Sequence, residues 1–376
     1  MKQATDVVII GGGVIGCAIA YYLCKSDIKV LIVEQGEIGK QASSAAAGLL
    51  APLGPLAGPG PFADLLLAGF ALFPALVREL EDASGIQLGY EQIGALRTVR
   101  NPKRIANLQK RMAAWQPLGL KMYWLDGEEA RKQEPLLSPD ICAAIYVPEE
   151  SQIKAPQVVK AFSLAAINSG AKIGEHTKVI GVQKKGSSVT GVHTDQGETI
   201  YCSHLVLATG AWSNLYSEWF DIMIPVSPLK GEMLTLSQPA QSLRHIIFGE
   251  ALYLSPRERI IIAGATREDA GFDTQVTQKG IEWLSGTAIK LVPGLKESNR
   301  ENSWAGLRPK TPDSQPILGA VPGWNNVILA TGHNSTGIIL SGITGKAIAR
   351  LTTSQQLMKI IEPFSLERFS ENASLR

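Results

Sequence analysis

The sequence predicts an α/β fold. A Rossmann-like domain is assembled from discontinuous segments, and an α+β domain with a mostly antiparallel sheet is inserted twice between them. Three observations carry this expectation. Val7-Val8-Ile9-Ile10 reads as a buried strand, runs into Gly11-x-Gly13-x-x-Gly16, and is followed by a helical run over 18–23. Apolar strands that break at a glycine turn recur over 205–210 and 327–332. Between them the pattern changes to short alternating runs punctuated by glycine, as antiparallel strands require. The expected boundaries are 1–85, 150–224 and 305–376 for the first domain, and 86–149 and 225–304 for the second.

The opening stretch has a chemical reading. A strand, a glycine turn and a helix start form a diphosphate cradle. Gly11 permits the tight turn, Gly13 lets the backbone approach a pyrophosphate, and Gly16 lets helix and strand pack closely. The amide end of the helix then faces the anion. A second strand over 29–33 ends in Glu34. A carboxylate there can accept both hydroxyls of a ribose and would repel a 2′-phosphate, so a phosphorylated nicotinamide cofactor is disfavoured.

Composition narrows the class. At 376 residues the chain exceeds one typical core, so two domains are expected. Hydrophobic residues make up 45% and charged residues 19%, which fits an ordered chain. Net charge is +2 with no basic run, so a nucleic-acid partner is not expected. Cys17, Cys24, Cys142 and Cys202 form no CxxC pair, which points to buried thiols in a reducing compartment and to no metal site. The apolar start is interrupted by Gly11 to Gly13, unlike a signal peptide. No uninterrupted run of eighteen apolar residues occurs, so no membrane span is expected.

The elements follow in order. A polar connector over 35–41 leads to the small residues Ser43 to Gly48, dense enough to let a flat or phosphorylated ligand approach. The alternative is an Ala-rich helix start capped by Ser43. Four prolines and three glycines make 51–62 an irregular loop, and 65–80 reads as an apolar helix. Loop and helix suit a lid, a partner surface, a weak membrane contact or, most simply, a core helix. A bent antiparallel pair is expected over 86–99, helices over 102–115, 126–134 and 156–168, and a strand over 146–153. A three-strand meander follows over 177–183, 188–195 and 199–202. A second antiparallel region starts at 225–236 and continues through 246–248, 252–254 and 260–264. Helices are expected over 278–291 and from 336–337 to about 351.

Taken together, Gly11 to Gly16 with Glu34, Ser43-Ser44-Ala45-Ala46-Ala47-Gly48, 205–212, Lys230-Gly231-Glu232, Gly264-Ala265-Thr266, 304–309, and Ala330-Thr331-Gly332-His333 with Gly337-Ile338 form an ordered set. It resembles the FAD-dependent amino acid and amine oxidases of the D-amino acid oxidase type over nearly the whole chain. Within that family it is similar to the glycine oxidases of the thiamine pathway. The resemblance implies FAD rather than NAD. It implies an FAD site lined by Val14, Ile15, Glu34, Gln35, Ala42, Ser43, Ala47, Gly48 and Leu49, with Val179 meeting the adenine through its backbone. His333, Asn334, Ser335, Thr336, Gly337, Ile338 and Ile339 would border the isoalloxazine. The amides at 337–339 would point at its pyrimidine carbonyl. No cysteine follows Cys202 and no histidine precedes His176, so FAD should be noncovalent.

An amino acid carboxylate calls for a guanidinium fork. Arg308 is the prime candidate, held in extended backbone by Pro309, and it matches the family's substrate arginine. A structural ion pair, such as one with Asp313, is the alternative. Tyr253 matches a family tyrosine beside the substrate, or else it is an aromatic of the sheet core. The chain departs from the glycine oxidase pattern at two places: Ser335 stands where those proteins carry an arginine, and Arg267 where they have an apolar residue. Arg267 either enters the pocket, compensating or selecting a larger or acidic substrate, or pairs at the surface with Glu268 or Asp269. His333 either stabilises reduced flavin or is structural.

The expected reaction is oxidative deamination of glycine or another small amino acid or amine, with hydride transfer to flavin N5, imine hydrolysis and reduction of dioxygen to hydrogen peroxide. No side-chain base is required. Two rivals are a membrane-surface dehydrogenase passing electrons to a quinone and a noncatalytic flavin-binding protein. A cytoplasmic location is expected, and the resemblance allows a homo-oligomer.

Overall fold

The computed structural model describes residues 3–371. Its first sheet has a parallel centre in the order Val327–Thr331, Thr199–Leu207, Gln3–Ile10, Val30–Val33 and Lys172–Gly174, with Ile317–Ala320 antiparallel at one edge. Strand periodicity sorts the side chains of the opening segment. Val7 and Ile9 face helices Val14–Cys24, Ala155–Asn168 and Gly337–Ser354 in one core. Val8 and Ile10 face Val189, Val192 and Phe220 in a second core, under the meander strands Val179–Lys185 and Ser188–Thr194.

The second sheet runs Arg300–Lys310, Ser227–Ser237, Ile260–Gly264, Tyr253–Pro256, Ile246–Phe248, Ala95–Val99, Ala143–Val147 and Tyr123–Asp126. Every neighbouring pair is antiparallel except Ile246–Phe248 with Ala95–Val99. Leu234, Leu236, Leu254, Ile261 and Ala263 pack on helix Gln278–Leu291 in a third core. The alternate positions, Gly231, Met233, Tyr253 and Gly264, line a cavity between the sheets.

Several expectations change in detail. Residues 86–94 are not half of a hairpin: only Ala95–Val99 is a strand, because the main chain of Glu91 and Gly94 bonds instead to Gln152 and Glu150. The expected 146–153 strand is divided, Ala143–Val147 joining the second sheet and Ser151–Gln152 pairing with Leu49–Leu50. The meander's third strand and the following strand are one element, Thr199–Leu207, paired in one register from Gln3↔Ile200 to Ile10↔Leu207. The strand Arg300–Lys310 runs through the expected 304/305 boundary, because its pairing with Ser227–Ser237 continues to Lys310. Tyr123–Asp126, Lys172–Gly174 and Ile317–Ala320 are strands of three or four residues, too short to show a period.

The apolar helix is longer than expected, Pro61–Ser84, starting on Pro61 and ending at Gly85 in the left-handed region (φ 71°). Among the described residues it alone is long and apolar enough to cross a bilayer by length and composition. Its Ala63, Leu65, Leu66, Phe73, Leu76 and Leu80 are buried in the first core against Gly337–Ser354. That is the plain core-helix alternative.

Candidate active site: a dinucleotide cradle joined to a cationic cavity

The cradle is built as the glycine spacing requires. Gly11 has φ +107°, and a Cβ on it would overlap the Ala208 carbonyl on the neighbouring strand. A Cβ on Gly16 would overlap the Gly11 carbonyl, so helix Val14–Cys24 could not seat on the turn. The first intrahelical bond runs from the Cys17 amide to the Gly13 carbonyl at 3.0 Å, which leaves the Ile15 and Gly16 amides without a helical acceptor. The Val14 amide donates to Ser43 Oγ at 3.0 Å. Glu34 accepts from the Gly12 amide at 2.7 Å and the Gly36 amide at 2.9 Å, so its carboxylate is held beside the turn with lone pairs to spare.

Two adjoining cavities meet at this cradle. The smaller is lined by Gly11, Gly13, Glu34, Gln35, Ala42, Ser43 and Val179, with Trp212 and Tyr216 opposite. The larger, about 740 Å³, is lined by Gly13, Val14, Ile15, Ala42, Ser43, Ala47, Gly48 and Leu49, then by His333 through Ile339, and on its far wall by Tyr253, Arg267 and Arg308. Every expected site residue therefore lines one or both cavities, except Gly16, which acts through packing. The 45–47 segment is tied down from the second sheet: Trp304 Nε1 donates to the Ala45 carbonyl at 3.0 Å and Arg257 to the Ala47 carbonyl at 2.7 Å.

At the other end, helix Gly337–Ser354 points its start into the larger cavity. Its first intrahelical bond is Leu340 amide to Thr336 carbonyl at 3.0 Å, so the amides of 337–339 have no backbone acceptor among the described residues. An elongated ligand with an anionic middle, a diol at one end and a polar flat ring at the other fits these partners. FAD has those three features.

Arg308 has no carboxylate partner among the described residues. Its Nη1 donates to the carbonyls of Thr266 at 3.2 Å and Lys230 at 3.4 Å. The guanidinium lies over Gly231, where any Cβ would overlap it. Asp313, the suggested structural partner, instead binds Arg368 at 2.8 Å. Burial lowers the Arg308 pKa, Tyr253 raises it and Arg267 lowers it further. Tyr253 donates to Met233 Sδ at 3.4 Å, and burial pushes its phenol up to about 12, against Arg308 and Arg257. The hydroxyl is thus protonated and able to donate.

His333 is buried, and its Nε2 lies 3.2 Å from Thr344 Oγ1. Burial lowers its pKa to about 3, so the ring is neutral at ordinary pH and brings no cation to the cavity. Because its folded pKa lies below the unfolded value of roughly 6.5, the unfolded chain binds more protons between pH 3 and 6.5. His333 therefore destabilises the fold as pH falls through that window. In His333→Gln, the loss of unfolding free energy below pH 6 should be shallower by about 1.4 kcal/mol per pH unit. Denaturant melts at stepped pH measure this, and equal slopes in the two proteins would contradict it.

Sequence reasoning passed over the entrance. Arg97, Arg104 and Arg111 line the larger cavity near Phe248 and Glu250. Arg97 is buried in an ion pair with Glu150 and lies 4.6 Å from the Phe248 ring centroid. Arg104 pairs with Glu250 at 3.2 Å. Arg111 stacks 4.5 Å from the Trp115 centroid. Helix Ile105–Trp115 was legible, but nothing in its pattern marks which face meets a cavity. All four cysteines are free, and burial pushes Cys17 and Cys202 up to about 12, so both are unreactive thiols. No group of residues suited to a metal ion is present among the described residues.

A diphosphate cradle opening into a substrate-sized cavity is the arrangement of a dinucleotide-dependent oxidoreductase. The chain belongs to the family described as FAD dependent oxidoreductase, which it matches over residues 6–351, and FAD is its cofactor. It is 34% identical to glycine oxidase of Geobacillus kaustophilus, covering 98% of each protein. It is 36% identical to the bifunctional protein ThiO/ThiG of Synechocystis, covering 98% of this chain and 55% of that one. The crystal structure of the Geobacillus kaustophilus glycine oxidase superposes with a TM-score of 0.94 at 33% identity, covering 98% of this chain and 99% of the other.

Proposed function

We propose that this protein is an FAD-dependent amino acid oxidase that deaminates glycine or a comparably small amine. One observation carries the reading. A guanidinium without a carboxylate partner, Arg308, shares a cavity with the unpaired amides of the 337–339 helix start. The first is what an amino acid carboxylate needs, and the second is what an electron-rich ring carbonyl needs.

In this reading the first sheet holds the cofactor and the second holds the substrate. Gly11, Gly13, Val14, Ile15 and Ser43 carry the diphosphate, and Glu34 the ribose. Val179 and Gln35 border the adenine end. Ala42, Ala47, Gly48 and Leu49 flank the cofactor's middle and ring, and His333 to Ile339 border the ring's far edge. Arg308 grips the carboxylate and Tyr253 donates a second hydrogen bond to it, which fixes that end of the substrate by two contacts, and the amine binds unprotonated. FAD held there would supply a two-electron acceptor for the α-hydride, with dioxygen as the final oxidant. The substrate nitrogen loses a proton as C=N forms, and water cleaves that bond. The balance for glycine is glycine, water and dioxygen giving glyoxylate, ammonia and hydrogen peroxide. Proton removal from an uncharged amine needs no strong side-chain base, consistent with a wall whose histidine is neutral and whose one carboxylate, Glu250, is paired with Arg104. The four free cysteines support a cytoplasmic location, and the likeness to ThiO/ThiG supports a thiamine-pathway role.

Mixing the yellow protein anaerobically with glycine should bleach the flavin band, and admitting air should restore it with one peroxide per cycle. A band that persists with glycine, sarcosine and small D-amino acids alike would remove the proposal.

A further inference from the structure

Five arginines and one glutamate are the formally charged side chains among the residues lining the larger cavity. Among the described residues three of the arginines have no carboxylate partner: Arg111, at the entrance, donates to the Gly54 carbonyl at 3.3 Å and stacks on Trp115, while Arg308 and Arg267 lie together on the far wall. Arg308 binds only the carbonyls of Thr266 and Lys230. Arg267 has no hydrogen bond or ion pair among the described residues, and of its two expected surface partners Asp269 pairs with Lys310 at 3.4 Å. The two are neighbours on one wall, because the carbonyl that Arg308 grips belongs to Thr266, the residue before Arg267. The Arg267 charge lowers the Arg308 pKa. Like charges without a counterion raise the energy of the free site, and a ligand carrying two anionic groups relieves it.

We infer that Arg267 is a specificity-determining residue and that the cavity takes amino acids bearing a second carboxylate, with Arg308 on the α-carboxylate and Arg267 on the distal one. The inference rests on the amino acid oxidase reading and names its substrate class. Arg267 is more exposed than Arg308, so the distal carboxylate lies toward the entrance. The second carboxylate can sit on the side chain or on the nitrogen. Aspartate would yield oxaloacetate and ammonia, and N-carboxymethylglycine would yield glyoxylate and glycine, each with one water and one dioxygen consumed and one hydrogen peroxide formed.

Two measurements on the holoenzyme test it. The first uses inert anions: malonate should perturb the flavin absorption band with a Kd about tenfold below that of acetate, as one added charged hydrogen bond provides, and Arg267→Met should erase the difference. The second compares kcat/KM for glycine, racemic aspartate and N-carboxymethylglycine. At least one of the two dicarboxylates should exceed glycine, and in Arg267→Met its kcat/KM should fall about tenfold more than that of glycine. Which one responds tells whether the distal carboxylate is carried on carbon or nitrogen. Equal malonate and acetate binding in the unaltered protein, or equal losses on all three amines in the variant, overturns the inference while leaving glycine oxidation standing. Failure of every amine to bleach the flavin overturns the oxidase reading instead, and the malonate result then stands or falls separately.

Discussion

Arg308→Ala is expected to lower kcat/KM for glycine by about 10²- to 10³-fold, the cost of leaving a desolvated carboxylate without its partner, while FAD stays bound. The magnitude follows from the site's construction. The guanidinium is fixed before any substrate arrives, by two carbonyls and by the flat surface over Gly231. Little side-chain entropy is then lost when a carboxylate binds. Arg308→Lys keeps the charge and loses the fork, so it should recover only part of the loss. Steady-state kinetics with the flavin spectrum as a loading control measure both variants. An unchanged kcat/KM in Arg308→Ala would show that substrate is anchored elsewhere. Loss of flavin in the same variant would show that the arginine is structural.

The cofactor end of this site was far more legible than the substrate end, for a physical reason. The cradle is local: strand, glycine turn, helix start and Glu34 lie within the first 34 residues, and Gly11 and Gly16 are dictated by backbone carbonyls that a Cβ would overlap. Val179 and 333–339 were implied by the family resemblance and not by local pattern, and they line the same cavities as the cradle. Arg97, Arg104 and Arg111 could not be placed, since each arrives by a long-range contact: Arg97 through the pairing of its strand with Ile246–Phe248, Arg104 through Glu250, and Arg111 through the Gly54 carbonyl. The alternatives for Arg308 and Arg267 were likewise undecidable from spacing. Only the fold shows that Asp313 is taken by Arg368 and Asp269 by Lys310, and that neither Arg308 nor Arg267 has a carboxylate partner among the described residues. For the fold, alternation revealed the long strands. It misled over 86–94, where the main chain bonds to 150–152 without forming a hairpin.

Gly13→Val is expected to give a folded protein that purifies without its yellow colour. Unlike Gly11, Gly13 has ordinary extended backbone, φ −75° and ψ −179°, so a side chain there carries no conformational penalty. A Cβ would meet only Ser43 Oγ, at 3.2 Å, and otherwise open space. That space belongs to both cavities, because Gly13 lines each of them. A valine would stand where the diphosphate must approach the helix amides. Losing two charge-assisted hydrogen bonds costs about 3 kcal/mol or more, a hundredfold or greater fall in FAD affinity. Secondary structure by circular dichroism should match the unaltered protein, while the ratio of flavin to protein absorbance should fall below a tenth. The stabilisation that added FAD gives the unaltered chain should also shrink, since a ligand raises stability only in proportion to its occupancy of the folded state. A Gly13→Val protein that retains a full complement of flavin would place the diphosphate away from this turn, and the roles assigned to Ser43 and Glu34 would fall with it.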